Sequence, residues 1–93
     1  MTREEQIKLY EDMEDENKNN ICFISKQMSD LLDDIIYHAE CTKANIWSND
    51  TYSIDTFCSR TNSKLFKIME LLVALNRNEE ECRSYKRISA ILK

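Results

Sequence analysis

The most reactive side chains in this sequence are one histidine and four cysteines, and three of the five lie near the middle of the chain. His38 and Cys41 are three residues apart, so on a helix they would share a face, and Cys58 could add a third zinc ligand. The chain contains neither a CxxC nor an HxxxH pair, which are the commoner spacings of zinc sites. We therefore expect no metal and no other cofactor, and we interpret both cysteines as small packing residues.

Catalysis by a cysteine nucleophile would need a base, an orienting group and an oxyanion site inside a concave pocket. A slender helical protein without glycine rarely forms such a pocket, and this chain has no glycine. The sequence therefore predicts that the protein is not an enzyme. Because it carries no secretion signal, we also expect the four cysteines to stay reduced.

Basic residues collect near the C-terminal end, where they could contact a nucleic-acid backbone. They are Arg77, Arg83, Lys86 and Arg87. The whole chain has a formal net charge of -4, so its long-range field would oppose binding to DNA or RNA. A nucleic-acid-binding module is therefore the alternative function and nucleic acid the less favoured partner.

Acidic residues in the first sixteen positions and aromatic residues near the middle are the candidate contacts for a protein partner. From the acidic run we select Glu11, Glu14 and Asp15, although such runs are most often ordinary solvated helix faces. From the middle we select Trp47 and Tyr52, because exposed aromatic side chains often anchor interfaces.

The elements that must position these residues are expected to be helices. The 93 residues include no Gly and no Pro, so tight turns lose their usual residues and nothing interrupts an α-helix. The length fits one domain, 1–93, and the fold class is all-α. The longest apolar run, 71–75, is too short to span a bilayer, so we expect no membrane contact and a cytoplasmic location.

The first helix is predicted to start at a capping box formed by Thr2 and Glu5 and to carry a heptad pattern. The pattern occupies Ile7, Tyr10, Glu14, Asn17, Ile21, Ile24, Met28, Leu31, Ile35, His38, Thr42 and Asn45. Phe23, Leu32 and Ile36 widen this stripe, as expected for a helix with more than one packing partner. The run 48–51 is rich in residues that cap helices and is predicted to be the turn.

A second helical region follows the turn, and the Asn76–Asn78 segment before three glutamates is interpreted as a stop, with a short last helix after it. The predicted core is Ile21, Ile24, Met28, Leu31, Ile35, Leu65, Ile68, Leu72 and Leu75. If the chain folds between Asn49 and Asp50, residues whose numbers sum to about 99 lie at one level of an antiparallel hairpin.

This register makes three predictions about contacts between the helices. It places Cys41 level with Cys58, within disulfide distance if both point inward. It also brings 17–20 to 78–81, and the acidic run 11–16 to Arg83, Lys86 and Arg87. A two-helix hairpin alone buries little apolar surface. We therefore expect one of two outcomes: the ends fold back to form a three- or four-helix bundle, or the protein self-associates.

The tripeptide Trp47-Ser48-Asn49 at the predicted turn resembles the Trp-x-Gly mark of the small helical-hairpin proteins of type VII secretion. Asn49 stands where that family has glycine, and Ser89, four residues after Tyr85, stands where it has an acidic residue. The resemblance implies a secreted helical hairpin, which is the second alternative function.

The function that the sequence favours is a small non-enzymatic protein–protein interaction module. It would act as an adaptor or inhibitor, of the kind that phages and mobile elements encode, by presenting a helical surface to a larger protein or to its own copy. The reason is that the sequence has no motif for chemistry and more apolar helix surface than one hairpin can cover.

Overall fold

The computed structural model describes residues 1–45 and 54–93, which form two α-helices: α1, Arg3–Asn45, and α2, Ile54–Leu92. The two helices pack against each other, and the described residues contain no strand, so the predicted all-α helical hairpin is confirmed. Thr2 caps α1 as expected, because its hydroxyl accepts a hydrogen bond of 3.1 Å from the Glu5 amide. The predicted turn at 48–51 lies outside the described residues, as do Trp47 and Tyr52.

Both helices are continuous, which corrects the prediction of a stop at Asn76–Asn78 and of a separate last helix. The Asn78 side chain donates a hydrogen bond of 2.8 Å to the Ala74 carbonyl one turn earlier, within the same helix. Asparagine can cap a new helix, but here no Gly or Pro forces the backbone out of the helical conformation. The prediction that the ends fold back into a larger bundle is therefore wrong.

Contacts divide the chain into two units, and the first combines Met1–Ser25 with Leu72–Lys93. In this unit the helices run antiparallel, since Arg3 donates a hydrogen bond to the Leu92 carbonyl and the rings of Tyr10 and Tyr85 lie 6.1 Å apart.

A layer of polar contacts lies further along the first unit. The Asn17 amide donates to a Glu81 carboxylate oxygen at 3.4 Å, and the Asn20 amide donates to the Asn78 side-chain oxygen at 3.4 Å. The predicted meeting of 17–20 with 78–81 is thus confirmed.

The acidic run lies at the predicted level, since the Cys82 thiol is 4.0 Å from the Glu14 carbonyl, but among the described residues no ion pair joins this run to Arg83, Lys86 or Arg87. Arg83 instead binds Glu79 one turn earlier on its own helix, at 2.7 Å, and the partner of Glu11 is Lys93, at 2.8 Å. An i, i+4 pair holds both side chains on the same face of one helix, so Arg83 reaches Glu79 without crossing to α1.

The second unit is Lys26–Leu71, and its described residues also form an antiparallel pair. Asp34 on α1 and Lys64 on α2 form an ion pair of 2.7 Å. Their numbers sum to 98, and the cross-helix hydrogen bonds and ring contact of the first unit have sums from 95 to 98. These contacts place the register one to four residues below the predicted sum of 99, whereas the Glu11–Lys93 ion pair, whose Lys93 follows the last residue of α2, has a sum of 104.

The surface through which each helix contacts the other, which we call the seam, repeats in steps of three and four residues. On α1 it comprises Ile7, Tyr10, Glu14, Asn17, Ile21, Ile24, Met28, Leu31, Ile35, His38 and Thr42. Each of these residues is buried or half-buried, so the predicted heptad is confirmed from Ile7 to Thr42.

The seam of α2 differs from the prediction. It comprises Phe57, Thr61, Lys64, Ile68, Leu71, Leu75, Asn78, Cys82, Tyr85, Ser89 and Leu92, all buried or half-buried. Leu65 and Leu72, which we predicted to be core residues, are exposed, and Leu71 is buried instead. The prediction failed because it searched for apolar residues, whereas Thr61, Lys64, Asn78 and Ser89 are seam positions with polar side chains.

Candidate functional site

Four large apolar side chains in the second unit remain well exposed, although the seam residues directly before them are buried or half-buried. Leu32 and Ile36 on α1 are 46% and 60% exposed, and Leu65 and Met69 on α2 are 45% and 60% exposed. Each pair is spaced four residues apart, so its members lie one above the other on their helix. We call these four residues the apolar face.

Helix geometry places the four residues on one side of the hairpin. Each directly follows a seam residue, namely Leu31, Ile35, Lys64 and Ile68. One residue further along a right-handed helix is a rotation of about 100° in a fixed sense. Because the two helices run antiparallel, the same rotation away from the seam leads to the same side of the pair on both helices.

On that side of the second unit, the positions that directly follow the seam are uncharged over about three turns of each helix, and the exposed Asp33 and Glu40 lie beside them on α1. The residues that directly follow seam positions there are Ser29, Leu32, Ile36 and Ala39 on α1 and Cys58, Asn62, Leu65 and Met69 on α2. The first charge along α1 in this position is Lys43, near its end. A surface without charges can lose its water at little electrostatic cost.

The opposite side of the same unit is charged. The residues that directly precede seam positions there include Asp30, Asp34, Arg60, Lys67 and Glu70. Lys67 and Glu70 form an ion pair of 3.7 Å. The hydrogen bond from Lys64 and its positive charge lower the pKa of the Asp34 carboxyl, so this side favours ionised groups in contact with water.

The predicted acidic contacts lie in the first unit, and two of them already have partners within the chain. Glu11 is half-buried and binds Lys93, whereas Glu14 is a seam residue that binds Lys18 at 3.1 Å. The hydrogen bond and charge of Glu14 raise the pKa of Lys18 above its ordinary value. Asp15 is exposed, and the other two predicted contacts, Trp47 and Tyr52, lie outside the described residues.

The basic residues proposed for nucleic-acid contact are all exposed on α2. Arg83, Lys86 and Arg87 follow one another at i, i+3 and i+4 and so form one cluster, whereas Arg77 lies almost two turns earlier. Glu79 binds Arg83 and neutralises part of the cluster, which reduces the charge that a phosphate backbone would meet.

His38, Cys41 and Cys58 are not gathered into one site. His38 is a half-buried seam residue whose ring lies 5.4 Å from that of Tyr37, and its carbonyl accepts a hydrogen bond of 2.9 Å from Thr42. Cys41 is half-buried and precedes a seam residue, whereas Cys58 is exposed and follows one. The two cysteines therefore flank the seam on opposite sides, and the condition for a disulfide, that both point inward, is not met by the exposed Cys58.

The sequence pattern identifies only half of the apolar face. It places Leu32 and Ile36 beside the α1 stripe, but it assigns Leu65 to the core and does not single out Met69. The signal that identifies all four is an apolar residue directly after a seam position, and it can be recognised only when the seam of α2 is known.

Comparison of the chain with models of known protein families, with curated proteins and with solved structures gives no match. Within 1–45 and 54–93, neither helix is long and apolar enough to cross a membrane. The geometry of the apolar face is therefore what indicates its role.

Proposed function

We propose that this protein is a small non-enzymatic interaction module that binds another polypeptide through the apolar face. The observation that carries the proposal is the contrast between the two sides of the seam in the second unit. The positions that directly follow the seam are uncharged and include four half-exposed large apolar residues, whereas those that directly precede it include charged and ion-paired residues. Single exposed apolar residues are ordinary on protein surfaces, but a contiguous uncharged group of them is typical of an interface.

The magnitude of the gain supports an interface that can form and dissociate. Fully burying a Leu, Ile or Met side chain contributes about 1.5–3 kcal/mol, and about half of each side chain remains to be buried. The four residues together would contribute about 3–6 kcal/mol when a partner covers them. Association costs at least ~4 kcal/mol in lost translational and rotational freedom, so the apolar face would be the centre of a binding surface with additional contacts around it.

A pair of double variants tests the proposal. Ile36→Glu with Met69→Glu places two carboxylates on the apolar face, where a partner would have to desolvate them. The matched control is Phe23→Glu with Ile91→Glu, which changes two apolar residues that are 63% and 74% exposed and that directly precede seam positions. Both variants change the net charge equally, and glutamate is a good helix former at all four positions.

The measurement is cross-linking of each variant in extracts of the native host, followed by identification of every bound polypeptide, a second copy included. We expect at least one polypeptide to be lost with the face variant and retained with the control variant. The proposal is overturned if no polypeptide is cross-linked to the protein in these extracts. It is also overturned if the face variant and the control variant lose the same polypeptides. Binding of a DNA oligonucleotide that weakens steeply with salt and survives the face variant would favour the nucleic-acid alternative instead.

A further inference from the structure

The apolar face is formed by two helices at once, which restricts what can cover it. Leu32 on α1 and Leu65 on α2 have numbers that sum to 97, so they lie at the same level of the hairpin as judged by the neighbouring Asp34–Lys64 pair. Helices that pack against one neighbour need apolar residues at two positions of the heptad, whereas helices in a bundle need a third. Both helices of the second unit have large apolar residues outside those two positions, on the same side.

We propose that the occupant of the apolar face is a second copy of this chain, packed face to face so that the two hairpins form a four-helix bundle. The inference rests on the proposed function, since it names the partner of the same surface. A second hairpin supplies a neighbour for α1 and for α2 in one step, and two-layer packing of helix pairs is the ordinary arrangement of such bundles.

Charge complementarity favours a copy of this chain. A twofold interface brings a surface against itself, so any charge within it meets a like charge close to the symmetry axis. At the positions of the second unit that directly follow the seam, no residue is charged from Ser29 to Ala39 on α1 or from Cys58 to Met69 on α2. The centre of this surface can therefore pack against itself without bringing like charges together, and the carboxylates Asp33 and Glu40 lie at its edge.

The small core of the chain also favours a second copy as the occupant of the apolar face. Only three apolar residues, Ile24, Ile68 and Leu71, are buried among the described residues, and the exposed fraction of each is 7–9%. A chain of this size with so little buried apolar surface gains stability from any partner that binds only the folded form. A second copy is present whenever the chain is made, so it can provide that stabilisation from the start.

The test is sedimentation equilibrium of the full chain between about 1 and 100 μM, the range in which interfaces of this modest size dissociate. We expect the wild type to reach twice the chain mass of 11.1 kDa within this range. Ile36→Glu with Met69→Glu should raise the dissociation constant at least ~100-fold, because a dimer of this variant would have to bury two carboxylates from each copy. Phe23→Glu with Ile91→Glu should leave it within about threefold of the wild type, since neither residue lies on the apolar face.

Circular dichroism of each variant shows whether the helices are retained, and Ile36→Gln with Met69→Gln replaces the glutamate variant if they are not. A wild type that stays monomeric throughout, or a control variant that dissociates as readily as the face variant, overturns the second copy as the occupant. If the wild type is monomeric but the face variant loses a different polypeptide in the cross-linking experiment, this inference fails and the proposed function stands. If both experiments are negative, both fail.

Discussion

The sharpest test of the fold uses two adjacent leucines, because the structure assigns them opposite environments. Leu71 is 7% exposed and lies in the seam, whereas Leu72 is 49% exposed. The perturbation is Leu71→Ala in one variant and Leu72→Ala in the other. The two changes remove the same atoms from the same helix, so helix propensity affects both equally and only the burial of the side chain differs.

The expected difference follows from the two exposures. Burying a whole leucine side chain contributes about 1.5–3 kcal/mol. In the folded protein the Leu71 side chain is almost fully buried, whereas about half of the Leu72 side chain is buried. Removing Leu71 also leaves a cavity, which a partly exposed position does not. We expect the free energy of unfolding to fall by about 2–3 kcal/mol for Leu71→Ala and by about 0.5–1 kcal/mol for Leu72→Ala.

The assay is urea unfolding followed by circular dichroism at two protein concentrations tenfold apart. Comparing the two concentrations separates the stability of the hairpin from any contribution of self-association, which depends on concentration. Equal losses for the two variants, or a larger loss for Leu72→Ala, would refute the placement of Leu71 in the seam of α2 and restore the core predicted from the apolar pattern.

Two further predictions concern polar residues that the seam and its edge contain. Asn17 is 7% exposed and donates to Glu81 at 3.4 Å, so Asn17→Leu exchanges one hydrogen bond for a buried apolar side chain. We expect this variant to raise the free energy of unfolding in urea by about 1 kcal/mol. A loss of stability would show that the polar contact contributes more than the burial. The hydrogen bond and charge of Lys64 lower the pKa of Asp34, so the ionised carboxylate stabilises the folded chain above its unfolded pKa, and this contribution is lost as the pH falls through the lowered folded value. The melting temperature of Asp34→Asn should therefore fall less steeply on acidification than that of the wild type. Parallel curves of melting temperature against pH would contradict the ion pair.

Composition was sufficient to predict an all-α protein, and the cap-rich run 48–51 was what predicted a helical hairpin. A chain with no Gly and no Pro contains nothing that ends a helix by backbone geometry, and the heptad of α1 is apolar at most of its central positions. The meeting of 17–20 with 78–81 could also be predicted, because an antiparallel hairpin with a turn near its middle fixes levels to within about one helical turn.

The tertiary structure decided which face of α2 is buried, and with it which residues are left for a partner. A hydrophobic pattern cannot identify Lys64 or Asn78 as seam residues, because both side chains are polar and each has a partner on α1. Lys64 binds Asp34, and Asn78 accepts a hydrogen bond from Asn20. In the rotation that α2 adopts, Leu71 is buried and Leu65 is exposed. The apolar face therefore depends on how the two helices pack against each other, which the local periodicity of α2 does not encode.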